Sequence, residues 1–227
     1  MNKSDLLIDA QGWDDYWTKK NHGGFLYDFI AAFYRKVIIR PNLNRVVRKY
    51  IPRGGSLLHA GCGSGQVDRD IRFYAKITGL DISRRALEIY RSTNEGHCKI
   101  LHGSILSVPL EAEAIDGIYN LGVMEHFSRK EILSILTEFR RLLGPAGKLI
   151  LFWPPEYGLT VQFFKLLTRI IKLFSGKTVH FHPAEVSRLK SRTQAEEILH
   201  EGGFRVLEYS FGYRDLWTYS VIVAEKE

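Results

Sequence analysis

The run Leu57-Leu58-His59-Ala60-Gly61-Cys62-Gly63-Ser64-Gly65 constrains this chain more than any other stretch of it. Apolar residues lead into three glycines at alternate positions, the pattern of a strand that breaks into a tight turn and opens a helix. Glycine permits positive φ and lets a ligand approach the backbone, while a helix start offers free N–H groups. Asp81 stands twenty residues after Gly61, at the end of a second β-rich run. An acid in that place accepts hydrogen bonds from ribose hydroxyls. Together these features imply an adenosine-containing ligand lying across strand carboxyl ends. Glycine spacing narrows the choice. A dinucleotide fingerprint would need glycine or alanine at position 66, where this chain has Gln66. The GxGxG pattern therefore favours a cofactor with no pyrophosphate to cradle, and NAD or FAD is the minor reading.

Downstream, short β-rich runs alternate with helical patterns, the signature of a parallel α/β sheet. Strands are expected at 56–61, 76–82, 98–104, 115–122 and 148–154, with helices near 66–74, 84–93 and 129–143. Gly144-Pro145 should stop the third helix. A helix at 193–202, capped by Thr193 and ended by Gly202-Gly203, should precede β-rich runs at 204–211 and 217–224. These two runs can pair as a hairpin through residues 212–215. Residues 11–50 look helical, and Pro52-Arg53-Gly54-Gly55 is the expected joint. This reading gives one domain over 1–227: an N-terminal helical cap (1–55), a cofactor-binding core (56–155), a basic amphipathic lid (156–192), and a C-terminal helix and hairpin (193–227).

At this level the chain resembles the class I S-adenosylmethionine (SAM)-dependent methyltransferases, most closely the broad group with an LDxGCGTG-like first motif. The resemblance runs from about 56 to 155 and more weakly through the hairpin. HAGCGSG looks like the SAM loop, GLDIS like the ribose and adenine contacts, and GSILSVP like the segment facing adenine. IDGIYNLGVMEHF resembles the fourth-strand motif, and LLGPAGKLILFWP the helix-turn-strand after it. The resemblance implies a doubly wound, Rossmann-like α/β sheet of seven strands, mostly parallel with an antiparallel last strand. N-terminal helices and a helical insertion after strand 5 complete it. It also implies SAM as cofactor, leaving S-adenosylhomocysteine (SAH), with Ala60, Gly61, Cys62, Gly63, Gly65, Asp81, Ile82, Ser104, Ile105, Asn120 and Leu121 as the binding residues. Two positions depart from the family. His59 stands where an acid is usual, which leaves open weakened affinity or a non-catalytic, binding-only relative. Ser104 replaces a frequent acid, although its hydroxyl can still accept a bond from the adenine amine.

Methyl transfer draws its reactivity from the sulfonium, so the protein must mainly position a nucleophile and exclude water. A hydroxyl or ammonium acceptor profits from a base within reach. His126 with Glu125, just after the fourth strand, are the leading candidates, and His180 and His182 come second. Two histidines with no evident third ligand do not make a zinc site, so no metal is expected. Trp13, Tyr16 and Trp17 in the WDDYW run either stack on the ligand or anchor a helix.

The net charge of +7 is unevenly spread: +5 over 1–55, +1 over 56–155, +5 over 156–192 and −4 over 193–227. Within the second basic block, 159–175 has helical periodicity, with Lys165, Thr168, Arg169 and Lys172 on one face and apolar residues on the other. Such a helix serves either as a lid or as a contact for a membrane or amphiphile. In the family both basic segments rim the acceptor pocket, so a small-molecule or lipid-linked acceptor, anionic in character, is expected. Nucleic acid is the lesser reading, because Asn120-Leu121-Gly122-Val123 lacks the Asn-Pro-Pro-aromatic clamp for planar base amines. Two cysteines, Cys62 and Cys98, fit a reducing compartment. With no signal-peptide core in the first residues and no apolar run of membrane-spanning length, the expected location is cytoplasmic, with peripheral membrane contact through 159–175.

Overall fold

Each strand of the sheet alternates side chains between two apolar layers, and this alternation decides where helices pack. A computed structural model describes residues 3–18, 32–163, 165–166, 169 and 185–227. Its strands are β1 (Ser56–Ala60), β2 (Lys76–Asp81), β3 (Lys99–His102), β4 (Ile115–Leu121), β5 (Leu143–Trp153), β6 (Phe204–Ser210) and β7 (Ser220–Lys226). They form one seven-stranded sheet in the order β3-β2-β1-β4-β5-β7-β6. Strands β1 to β5 pair in parallel, and β7 runs antiparallel between β5 and β6.

The helices are α1 (Lys3–Thr18), α2 (Arg40–Tyr50), α3 (Arg84–Asn94), α4 (Arg129–Leu142) and α5 (Arg192–Glu201). On one face, Ile118, Leu149, Leu151 and Ile222 pack with Ile132, Leu136 and Phe139 of α4 and Ile198 and Leu199 of α5. On the other, Tyr119, Ile150, Phe152 and Val221 pack with Leu43, Val46 and Val47 of α2. A doubly wound sheet follows, and its strand order reverses between β1 and β4, where ligands of such sheets settle.

Local signals explain most helix boundaries. Ser128 caps α4 in a reciprocal box with Glu131, and Ser83 caps α3 through Ala86 N–H. Several details depart from the sequence reading. Residues 66–70 form turns and only 71–73 a short 3₁₀ turn, so the helix expected at 66–74 is absent. Strand β5 starts at Leu143 and carries Gly144-Pro145 within it, because Leu143 turns extended directly after α4 and pairs with Ile115. Ser191, not Thr193, caps α5 by accepting from Gln194 N–H. Strand β7 begins at Ser220 instead of 217, because Leu216 and Trp217 adopt left-handed backbone (φ 54° and 53°) that no strand accommodates.

Candidate functional site

The carboxyl ends of β1, β2 and β4 converge on the glycine-rich loop. Gly61, Gly63 and Gly65 have φ of +72°, +49° and +63°, as the turn requires. A Cβ at Gly61 would fall 2.7 Å from Val123 Cγ2, and one at Gly65 only 2.3 Å from the Tyr90 ring. The loop amides are less available than the motif suggested. Gly61 and Cys62 donate to Leu80 O, Gly65 donates to Cys62 O, and Gly63 donates to Asp81 Oδ2 at 2.9 Å.

Asp81 sits at the tip of β2 and also accepts from Ser83 N–H through Oδ1 at 2.9 Å. Its burial raises the carboxyl above its ordinary range, against the lowering effect of those backbone donors. Ile82 follows it, and Ile82 O bonds the His102 ring at 2.9 Å. At the end of β3, Ser104 Oγ accepts from Leu106 N–H, and Ile105 is buried beside it. Cys62 is buried with Leu87 and Tyr90, and that burial pushes its thiol up.

Asn120 on β4 is fully buried, and neither its Nδ2 nor its Oδ1 has a partner among the described residues. Each unmade bond costs about 1–3 kcal/mol, so a polar ligand at this spot would remove a standing penalty. Leu121 ends the strand, partly buried on the opposite face from Asn120. Beyond it, Gly122 turns at φ +66°, and a Cβ there would stand 3.3 Å from Glu125 Oε1 and 3.6 Å from Tyr219 Oη.

Glu125 is buried with Oε2 unpartnered among the described residues, and desolvation, with Glu185 nearby, pushes its carboxyl up to about 8. Its backbone carbonyl accepts from Val186 and Ser187 N–H, which brings the returning end of the insertion onto this turn. His126 meets Trp13 edge-on, ring centroids 5.1 Å apart. Asp14 accepts from Ser83 Oγ at 2.5 Å, and Trp17 lies against Gly63. Helix α1 therefore crosses the strand ends from α3 to the turn after β4, as the aromatic–acidic run allowed.

His59 has a structural explanation that its position in the motif could not provide. Its Nδ1 lies 2.8 Å from Asp68 Oδ2, and its ring stacks on Tyr119 at 4.4 Å. Asp68 is fully buried and also accepts from Tyr90 Oη and Tyr119 Oη, both at 2.7 Å. The imidazole is thus held by a buried carboxylate nine residues later in the chain. Sequence reasoning passed over Asp68, which stands within the helix expected at 66–74 and carries no motif. It also missed Tyr219, which carries no motif. His180 and His182 lie outside the described residues. Among the described residues, no group of three or more His, Cys, Asp or Glu could hold a metal ion.

Residues 58–151 match the family profile described as a methyltransferase domain. Over that stretch, from β1 into β5, the chain is similar to methyltransferase domains. Among curated relatives, the chain is 27% identical over 142 residues to a probable tRNA methyltransferase 9B of Mus musculus, covering 61% of this chain and 31% of that protein. It is 24% identical over 168 residues to an O-methyltransferase of Pyrenophora dematioidea, covering 68% and 56%. The chain spans only about a third to a half of the length of these relatives. Magnesium protoporphyrin IX methyltransferase of Synechocystis, solved with bound SAH, superposes with a TM-score of 0.65 over all of both chains at 16% identity. That likeness is one of fold.

Proposed function

We propose that this chain is a class I SAM-dependent methyltransferase that transfers the methyl group of SAM to a hydroxyl or amine of a small-molecule or lipid-linked acceptor, anionic away from the reacting atom. The observation that carries the reading is the buried, unpartnered pair of Asn120 and Glu125, standing where β4 ends beside the glycine loop. The residues present fit the cofactor: an orphaned amide at β4, a carboxylate at the tip of β2, and a loop whose close approaches leave no room for Cβ atoms. In this reading Ala60, Gly61, Cys62, Gly63 and Gly65 shape the methionine side. Asp81 takes the ribose hydroxyls with its remaining lone pairs, while Ile82, Ser104 and Ile105 border adenine. Asn120 and Leu121 meet the homocysteine portion.

When bound, SAM supplies an electrophilic methyl carbon on a sulfonium leaving group. The protein's part is positional and protolytic. Trp13 and Trp17 of α1 cover the site and keep water from it. Ionised Glu125 accepts the proton released by the acceptor, with His126 at the edge of the same turn as the other candidate. The acceptor's anionic part is left to the basic rim, since the groups deepest at this end are carboxyls. Among the described residues no helix is long and apolar enough to cross a membrane.

The relatives' name favours one competing reading, methylation of tRNA. Binding to RNA that falls steeply with salt would support it over the small or lipid-linked acceptor. The proposal itself is tested by thermal unfolding with SAH, SAM and NADH. Ligand at about 100 times its Kd adds roughly 2.7 kcal/mol, on the order of 5–10 °C for a chain this size. A shift with SAH and SAM alone is expected. No shift with either overturns the enzyme reading and leaves a binding-only relative.

A further inference from the structure

Three segments that are distant in sequence meet at the turn between β6 and β7, and all of them expose apolar side chains. Tyr34 Oη donates to Asp215 O at 2.6 Å, which brings the π-helical turn at Arg35–Ile39 against residues 213–215. Leu159 N–H donates to Trp217 O at 2.8 Å, which fixes the start of the insertion helix on the other side. Around this junction Phe33, Leu159, Leu166, Leu216 and Trp217 are each 42–58% exposed. In the insertion, 159, 163 and 166 share one helical stripe.

The turn itself adds a second, independent observation. Leu216 and Trp217 both hold positive φ, 54° and 53°. L residues with large side chains enter that region only at a cost in free energy, and Gly or Asn would fill it more cheaply. Here a strained backbone presents two large hydrophobes to solvent. Such strain persists where the display has a use. Tryptophan beside leucine is the composition of a membrane-interface anchor.

Charge selects the occupant. Lys36 and Arg214 are exposed on the two segments joined by Tyr34, Lys165 and Arg169 are exposed further along the insertion helix, and none of the four forms an ion pair with an acid among the described residues. Exposed apolar tips with exposed cations on the same three segments complement an anionic bilayer, where the tips enter the interface and the cations meet lipid phosphates. We infer that the face formed by residues 33–37, 159–163, 165, 166, 169 and 213–217 docks on an anionic lipid surface. This deepens the lipid-linked reading of the acceptor and rests on it.

Co-sedimentation of the full chain with vesicles of phosphatidylcholine, alone or mixed with phosphatidylglycerol, tests the inference. Binding is expected to the anionic vesicles only. Removing the cations with Lys165→Gln, Arg169→Gln and Arg214→Gln should weaken it about fivefold per charge. The decisive variant is Leu216→Asn with Trp217→Gly. Relieving the left-handed strain should raise the melting temperature by a few degrees, while vesicle binding falls by at least about tenfold. Opposite movement of the two readouts excludes misfolding as the cause. Wild-type protein that ignores anionic vesicles, unchanged binding by the double variant, or a dimer in solution that hides Trp217 would each overturn the inference. The SAH-induced thermal shift is measured on the same samples without vesicles. Its retention alongside lost vesicle binding removes the docking surface alone, and its absence alongside vesicle binding removes the methyltransferase reading alone.

Discussion

Burial sets the chemistry of Glu125. Its carboxyl is pushed up to about 8 by desolvation, so at neutral pH most molecules carry it protonated. The base proposed here must be ionised to act, so in that reading kcat/KM should rise with pH and level off above about 8. Glu125→Gln should lower turnover by about 10²–10⁴-fold and abolish that limb; an unchanged pH profile in this variant would assign the proton to another group. Stability moves the opposite way. A carboxyl raised in the folded state favours folding while protonated, an effect complete below its ordinary range and lost as pH rises through about 8. Melting curves should therefore show Glu125→Gln gaining on the wild type as pH rises from about 5 to 9, by on the order of a few kcal/mol at the top. Glycines separate by what surrounds them. Gly65→Ala meets Tyr90 at 2.3 Å and Asn94 Nδ2 at 2.5 Å with φ +63°, whereas Gly54→Ala has φ +80° and open space. Chemical denaturation should show roughly 1 kcal/mol lost at Gly54 and at least about 3 kcal/mol at Gly65. The need for glycine at 61, 63 and 65 was legible in sequence. That Tyr90 and Trp17 are what fill the space was not, because both arrive from other elements.

At the scale of elements, Asp68 joins the turn after the glycine loop to α3 through Tyr90, to β4 through Tyr119 and to β1 through His59. Removing one member of such a buried cluster strands the others. Asp68→Ala should cost about 3–5 kcal/mol, and melting temperature should fall by roughly 6–20 °C. Tyr90→Phe should cost about 1–2 kcal/mol, and a double cycle with Tyr119→Phe should show coupling, since both hydroxyls lean on one carboxylate. The same cluster explains why residues 66–74 refuse their helical pattern. Asp68 must reach beneath the loop to three partners, and the backbone follows it as turns. Strands 56–60, 76–81 and 115–121 were legible because each is a short apolar run closed by a turn residue. The false start of β7 at 217 shows the limit of that signal: Trp217 and Tyr219 have strand propensity, yet the left-handed pair ahead of Thr218 delays pairing until Ser220. Propensity describes what a residue favours locally, and the junction with Leu159 overrides it here.

For the molecule as a whole, the uneven charge could be read from the sequence, but its geometry could not. The two basic blocks, far apart in the chain, both reach the β6–β7 turn, one through Tyr34 and the other through Leu159. The insertion begins and ends at nearly the same place, because Glu156 N–H donates to Leu189 O at 2.8 Å and Pro155 pairs with Leu189. The sheet, α4 and α5 are complete without it. Loop-closure entropy changes only by about 0.6 kcal/mol per doubling of length, so a short glycine–serine linker replacing 160–184 should leave folding nearly intact. The loss of Val161, which is 7% exposed, should add about 1–2 kcal/mol. In thermal unfolding this variant should melt within several degrees of wild type and keep its SAH shift, because every proposed cofactor contact lies outside the deletion. Transfer to a lipid-linked acceptor should drop while any transfer to a short soluble analogue persists, since the insertion supplies the exposed stripe and basic charge, not the turn that holds Glu125. A deletion that also removed the SAH shift would place the insertion in the cofactor site, and the division between a binding core and an acceptor-facing lid would have to be given up.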